Sequence, residues 1–429
     1  MKLTKTTLDQ LGFVGRGRSR HRPRNDQSLF GGKYPFIQTG EVKAANLYIN
    51  DFKETYNDKG LAQSKLWEEN TLLITIAANI ADTAILKIRA CFPDSIVAFI
   101  PKERVSDVKY VKYYLDFIQI ELKAISQGTT QDNMSLDKLL SKPIYVHSFE
   151  EQKKIASILS AYDDLIENNN QRITLLEDMA AEIYKEWFVR FRFPNYQNTN
   201  FLDKEGNEVA HGTKGGIPEG WEKKAVKDIV GNFKDKYKEE EHSHLGIFDL
   251  SRMPRKSLVV PQFGDSNELE SSRIIFKEND ILFGSIRSYF HKVSSANKKG
   301  ITNVSVLIFR PKKEIYRSYS LFTFFSNHFI NWSVNFSNGT KMPTISWNEV
   351  QNYSIYKPSD DLLEYFEELV FPMIKEIHTL SDKNIVLQET RDLLLPRLIS
   401  GKLSVEGLEV GEIDMNMAAE PGTVYETKK

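Results

Sequence analysis

The chain has 429 residues, 41% of them hydrophobic and 27% charged, and 57 Lys and Arg stand against 58 Asp and Glu for a formal charge of -1. This excludes disordered, collagen-like and fibrous classes and leaves length for two or three cored domains; without a global positive field, a polyanion site has to be a local patch. The single Cys91 excludes an internal disulfide framework and a multi-thiolate zinc site. The opening residues carry no apolar leader and no apolar run approaches ~20 residues, which predicts a cytoplasmic chain with no membrane partner.

In chain order, residues 1–147 carry short β-branched and aromatic runs, Leu72 to Ile76 and Ile96 to Ile100, that read as strands. One helical stretch follows at about Asp107 to Ile125, then a Gly-Thr turn and a last strand near Ile144. Residues 148–193 form a long helix, opened by the capping-box spacing of Ser148 with Glu151 and closed before Pro194. Residues 194–217, rich in Asn, Gly and Pro, form an irregular connector. Residues 218–358 repeat the first pattern, with strands at Ile281 to Phe283 and Val304 to Phe309, one helical stretch at about Ile315 to Val334, and a last strand near Ile355. A second long helix over 359–403 starts at Pro358-Ser359, should kink at Pro372 and ends at Gly401. Residues 404–429 form an acidic tail, expected to be poorly ordered from Gly411.

The two halves match. Ser126-Gln127-Gly128-Thr129 returns as Ser337-Asn338-Gly339-Thr340 at a spacing of 211, Glu69-Asn70-Thr71-Leu72 as Glu278-Asn279-Asp280-Ile281 at 209, and Leu8 to Gly12 as Val226 to Val230 at 218. The helices repeat too. Ile155, Leu159, Tyr162, Ile166, Asn169, Ile173 and Leu176 keep a four-three alternation, and a shift of 211 gives Phe366, Val370, Met373, Ile377, Leu380, Asn384 and Leu387. That is the period of a coiled coil, and a long apolar stripe of this kind is packing rather than a cofactor site. The predicted fold is therefore α+β: two globular domains related by a pseudo-two-fold repeat, separated by two antiparallel helices. In that pairing Asn169 faces Asn384, one buried amide pair that fixes register, and the helices supply ~60 Å of length.

Several chemical patterns compete. Phe13-Val14-Gly15-Arg16-Gly17 fits the F-x-G-x-G loop of S-adenosylmethionine sites, but arginines follow where a helix should, and no Asn-Pro-Pro-aromatic tetrad occurs. Pro93-Asp94 with Glu121-Leu122-Lys123 fits a loose nuclease pattern, more simply read as a solvated helix face. His242 and His244 read as a charged loop, and there is no Walker lysine motif for ATP. The strongest signal is Arg16, Arg18, Arg20, Arg22 and Arg24 with His21 within ten residues; their guanidinium forks suit phosphates and the guanine edge, against the bland reading of a flexible basic loop. Arg252, Arg255, Lys256, Arg273 and Arg287 with Tyr289 are thinner candidates in the second half.

The layout resembles the specificity subunits of Type I restriction-modification systems. The phrases that carry the resemblance are Glu150-Glu151-Gln152-Lys153-Lys154-Ile155-Ala156, Tyr34 to Val42, Asn279 to Phe283, Ile217-Pro218-Glu219-Gly220-Trp221, and Leu395-Pro396-Arg397-Leu398-Ile399-Ser400-Gly401-Lys402-Leu403. The second helix start, Ser359-Asp360-Asp361-Leu362, lacks the Glu-Gln-Lys-Lys phrase. The resemblance implies a non-catalytic chain in which each variable domain is a target-recognition domain for one half of a bipartite asymmetric DNA site. It also implies two methyltransferase subunits docked on the helices and motor-nuclease subunits beyond them, with S-adenosylmethionine, ATP and Mg on those partners and no cofactor or metal in this chain. Gln38, Thr39, Thr129, Thr340 and Lys341 complete the residues expected on DNA. The rival reading is a non-enzymatic coiled-coil adaptor holding two protein-binding domains.

Overall fold

The computed structural model describes residues 3–126, 134–265, 268 and 272–408. The chain divides into two compact units, Met1–Ile166 with Leu387–Lys429, and Glu167–Val386, so that each long helix begins in one unit and ends in the other. The tail expected to be poorly ordered lies outside the described residues.

In the first unit the opening strand Thr4–Thr6 pairs antiparallel with Ile144–Val146, tying the start of the domain to the strand that precedes its helix. Between them lies a five-stranded sheet in the order Gly12–Arg16, Ile96–Pro101, Leu72–Thr75, Thr83–Leu86, Tyr48–Ile49. Its central strands are continuous apolar runs because both faces are covered. Leu72, Ile74, Val97 and Phe99 pack on one side with Tyr110, Val111 and Leu115, while Leu73, Ile96 and Ala98 pack on the other with Ile37 and Phe92. The period of two thus shows in which layer each residue joins, not in its polarity.

The second unit repeats this plan. Glu222–Ala225 pairs with Ser354–Lys357, and a four-stranded sheet runs in the order Val230–Asn232, Val306–Pro311, Ile281–Gly284, Val293–Ser295. Ile281, Phe283, Leu307 and Phe309 face one core and Leu282, Val306 and Ile308 the other. The Asn of the repeated phrase has a backbone reason: Asn70 and Asn279 both adopt a left-handed conformation, φ 61 and 66, one turn before the central strand. Their N–H groups bond the carbonyls of Leu86 and Ala296, each at 2.8 Å. Asparagine is among the few side chains that tolerate such a φ.

Three expectations are corrected. The helical stretch of each domain is two helices, Val108–Phe117 with Gln119–Ser126, and Arg317–Phe325 with Asn327–Asn335. In the second case Ser326 is extended and its hydroxyl accepts from the Phe329 N–H, which starts a new helix. The strand expected from Val304 begins at Val306. The first long helix is α-helical over Phe149–Tyr184 and closes in a π turn, Lys185–Val189, short of Arg192. The wider turn lets the adjacent Trp187 and Phe188 both enter the core. The second long helix spans Asp360–Ile399, with Pro372 on its exposed side, and ends as expected at Gly401, φ 72.

Within each unit the helix segments pair antiparallel. In the first, Ile155 and Leu159 share a core with Leu398 and Ile399, and Asp163 is bonded by both Arg391 and the Tyr113 hydroxyl. In the second, Ile173 packs on Ile377 and Leu380, and Arg172 meets Glu376 at 3.0 Å. There Asn169 Nδ2 donates to Asn384 Oδ1 at 2.8 Å, and Asn384 Nδ2 donates to Asn170 Oδ1 at 2.8 Å. Ile166, Phe366 and Val370 are buried, while Tyr162, Leu176, Met373 and Leu387 are half-buried. Among the described residues no helix is long and apolar enough to cross a membrane.

Candidate nucleic-acid interface

The arginine stretch begins on the sheet-edge strand Gly12–Arg16, paired with Ile96–Pro101, and continues as a braced loop. Gly17 and Arg18 donate their N–H groups to the carbonyls of Ile96 and Phe92. Gln63 Oε1 accepts from the N–H groups of Arg20 and His21, and Ser64 donates to the Arg18 carbonyl at 2.7 Å. Farther on, His21 and Asp26 lie 2.7 Å apart; the Ser28 N–H, then its hydroxyl and the His21 ring, hold the Asp26 carboxyl down at about 2. The loop is built, not slack.

All five arginines are exposed, but they divide by partner. Arg22 braces the loop through the carbonyls of Ser19 and His21, and Arg24 pairs with Asp94 at 2.7 Å. Arg16, Arg18 and Arg20 make no ion pair among the described residues. Asp94 is within reach of Arg22, at 3.8 Å, and Arg24 only, and Asp26 is taken up by His21, so Arg16, Arg18 and Arg20 keep a local positive field in a chain of zero mean charge. Arg24 also borders a concavity of about 220 Å³ with Asn25, Gln38 and Thr39, so the arginine stretch and the Gln38–Thr39 pair meet at one site. Gln38 Nε2 donates to Glu54 at 2.7 Å. Thr129 lies outside the described residues. Gln63, Ser64 and the exposed Lys65, whose ammonium sits 5.5 Å from the Phe13 ring centre, were invisible to sequence reasoning because their partners lie far away in the chain.

In the second domain the candidates separate into a cluster and two outliers. Arg287 donates to the Lys341 carbonyl at 3.3 Å, its own N–H bonds the Pro343 carbonyl, and Lys256 donates its N–H to the His291 carbonyl. Arg255 lies over the Phe290 ring at 4.0 Å, and Tyr289, half-exposed, packs edge-on against the same ring. Arg255, Lys256, Arg287, Tyr289, Thr340 and Lys341 therefore stand on neighbouring loops. Arg252 is instead held by Asp249 and Glu268, and Arg273 lies against Tyr237 and Glu239.

The loop carrying Arg255 and Lys256 has a support that the sequence did not reveal. Glu177, buried on the first long helix, accepts from the Ser257 hydroxyl at 2.7 Å and the Leu258 N–H at 2.6 Å. Burial raises its carboxyl above the ordinary value against the pull of those two donors.

The competing motifs resolve into packing. A Cβ on Gly17 would lie 2.2 Å from the Pro93 carbonyl and one on Gly15 would meet the rings of Phe13 and Trp67, so both glycines answer to close packing, and the strand leads into the arginine loop rather than a helix. Asp94 is with Arg24 and Glu121 with Lys142, in separate ion pairs. His242 Nδ1 accepts from the Lys238 N–H. No group of metal-ligating side chains gathers among the described residues.

Two repeated α+β domains, each offering exposed basic loops and each continuous with one of two paired helices, define a two-module recognition protein. The family described as Type I restriction modification DNA specificity domain matches residues 4–178 and 218–361. The chain belongs to that family, whose members are the non-catalytic specificity subunits of Type I systems. It is 27% identical over 408 residues to the Type I restriction enzyme MjaIX specificity subunit of Methanocaldococcus jannaschii, covering 89% of each chain. It is 22% identical over 343 residues to the HindI specificity subunit of Haemophilus influenzae, covering 65% of this chain and 73% of that one. The crystal structure of the S subunit of a Type I system from M. genitalium shares the fold, with a TM-score of 0.59 at 17% identity over 93% of this chain and 96% of that one.

Proposed function

We propose that residues 1–147 and 218–358 are target-recognition domains, each reading one half of a bipartite asymmetric DNA site. The helices, 148–193 and 359–403, space the halves and dock two methyltransferase subunits, with 194–217 as connector and 404–429 as tail. The observation that carries the reading is the braced loop that leaves Arg16, Arg18 and Arg20 exposed and, among the described residues, without ion-pair partners. Arginine fits both phosphate and the guanine edge, and such a patch is what a chain of -1 charge needs to hold a polyanion. In the second domain the loops carrying Arg255, Lys256, Arg287, Tyr289 and Lys341 face the other half-site. Leu175 and Met179, four apart and 62% and 52% exposed on the first long helix, offer an apolar stripe to a partner. Motor-nuclease subunits join beyond the methyltransferases, and S-adenosylmethionine, ATP and Mg act on those partners in the cytoplasm.

The test is the salt dependence of duplex binding. Replacing Arg16, Arg18 and Arg20 by Gln should flatten the log-log slope by up to ~2.7, at ~0.9 per neutralised phosphate. An unchanged slope refutes the reading. Methylation sequencing in cells carrying the whole system then identifies the bases. Four residues inserted at matched points of both helices add ~6 Å and should lengthen the spacer by about two base pairs, leaving both half-sites unchanged.

A further inference from the structure

The two domains can be superimposed by strand register rather than by similarity of residues. In the first, Gly12 lies opposite Pro101, Phe13 opposite Ile100, Val14 opposite Phe99 and Gly15 opposite Ala98. In the second, Val230 lies opposite Pro311, Gly231 opposite Arg310 and Asn232 opposite Phe309. The ladder extends one residue more, because the Phe233 N–H bonds the Ile308 carbonyl at 3.0 Å. Gly15 and Phe233 are thus equivalent positions at the end of equivalent edge strands, a spacing of 218 throughout. The next residue is Arg16 in one domain and Lys234 in the other.

Carried forward at the same spacing, Arg16, Arg18 and Arg20 correspond to Lys234, Lys236 and Lys238. The alternation has a structural basis in the second domain, where Asp235–Lys236 is itself a strand paired with Arg273–Phe276. Successive side chains then point to opposite faces. Asp235 and Tyr237 turn to protein, near Arg310 at 3.6 Å and beneath the Arg273 guanidinium, and both are half-buried. Lys234, Lys236 and Lys238 are exposed. Among the described residues Lys234 and Lys236 have no ion-pair partner, whereas Lys238 is held by Glu241 at 2.7 Å. The carboxylates that follow are mostly engaged: Glu239 accepts from the Tyr237 hydroxyl at 3.0 Å and lies near Arg273, and Glu241 is on Lys238.

We propose that Lys234 and Lys236 form a second phosphate-backbone contact, the counterpart in the second domain of the arginine stretch in the first. The inference rests on the DNA-recognition reading and adds to it a site with no sequence motif. Lysine supplies a compact point charge without the planar fork of arginine, so this site holds phosphate and does not read bases. It is a weaker site than its counterpart, with two free cations against three.

The experiment uses the full chain and a mixed-sequence duplex, with the log-log salt slope as readout. Both lysines are exposed, so K234Q/K236Q should fold as the parent does, checked by circular dichroism. The expected loss of slope is up to ~1.8 for this pair and up to ~2.7 for R16Q/R18Q/R20Q, and the two losses should add because the sites lie in different units. K204Q/K214Q, two exposed connector lysines, makes the same change in net charge and should leave the slope intact. A parental slope in K234Q/K236Q overturns the inference, as does an equal loss in K204Q/K214Q, which would make the effect one of net charge alone. A parental slope in the arginine variant overturns the reading beneath it, independently of the lysine result.

Discussion

Removing the Arg391 side chain should damage the first unit far more than an exposed ion pair would. Asp163 is a carboxylate whose side chain is 1% exposed, and its partners are the Arg391 guanidinium and the Tyr113 hydroxyl. In R391A the carboxylate keeps one neutral donor, the Tyr113 hydroxyl, and loses its cation. Leaving a buried charge uncompensated costs about 3–5 kcal/mol, against about 0–1 kcal/mol for a surface pair. Removing both charges is a different perturbation: D163L/R391L exchanges a buried pair for apolar contacts and should return to within about 1 kcal/mol of the parent, because the pair's attraction is offset by the desolvation of both ions. Y113F, which removes one donor from the same carboxylate, should fall between, at about 1–3 kcal/mol. Hydrogen exchange of amides in Val108–Phe117, the helix that carries Tyr113, reads this unit without assuming that the whole chain unfolds in one step. A loss in R391A below about 1 kcal/mol, or a double variant as damaged as R391A, would refute the argument.

Three further outcomes follow from buried groups. Burial pushes the His378 pKa from 6.5 down to about 4, opposed by a hydrogen bond with the Ser295 backbone, so the native ring stays neutral well below pH 6.5. The unfolded chain takes up a proton on falling below 6.5 and the native chain does not until about 4. Stability therefore falls across that window by on the order of 3 kcal/mol, and H378Q should flatten the urea-unfolding pH profile by that amount. Cys91 is fully buried and its thiol is pushed up to about 11, so at pH 8 a thiol reagent should react only through opening of the first unit; a native reaction rate equal to that of free cysteine would contradict this. E177A should loosen the Arg255–Lys256 loop, seen as faster proteolysis confined to residues 252–260, while E177Q, which keeps the acceptor, should restore protection; equal protection in E177A would show that the hydrogen bonds to Ser257 and Leu258 do not hold the loop.

What was legible in the sequence was periodic or local. Apolar runs such as Leu72 to Ile74 read as strands because both faces are covered, and the four-three seam read as paired helices because it holds for about six turns in each half. What was illegible depended on partners distant in the chain. The helix start at Ser326 has one local sign, its capping hydroxyl, lost inside an apolar stretch, and nothing local marks the π turn at Lys185–Val189, which serves Trp187 and Phe188 in a core built mostly from residues beyond 220. At the site, charge density identified the arginine stretch, but only the fold separates the brace Arg22 from the free Arg18, or gives Gln63 and Glu177 their positioning roles. Lys234 and Lys236 escaped because a repeat sought by residue identity misses an Arg-to-Lys exchange, whereas a strand register does not.

The polar residues of the seam carry information that its apolar residues do not. Ile, Leu, Val and Met at the seam positions are near-interchangeable under a slip of one heptad, since each finds another apolar residue opposite. In the first unit, a slip of the second helix by seven residues places Leu398 or Asn384 where Arg391 stands, and Asp163 loses its cation. In the second unit the same slip removes Asn384 from between Asn169 and Asn170, leaving the buried Asn169 amide without its partner. Each mismatch costs about 1–5 kcal/mol. The penalties arise in separate units from different chemistry, so no single compensating shift relieves both. N169L/N384L should therefore leave helix stability equal or greater while cross-linking between cysteines placed along the two helices spreads to neighbouring registers. D163L/R391L should relax the register only within the first unit, and a single register surviving in the four-residue variant would mean that shape complementarity of the apolar seam alone fixes the pairing.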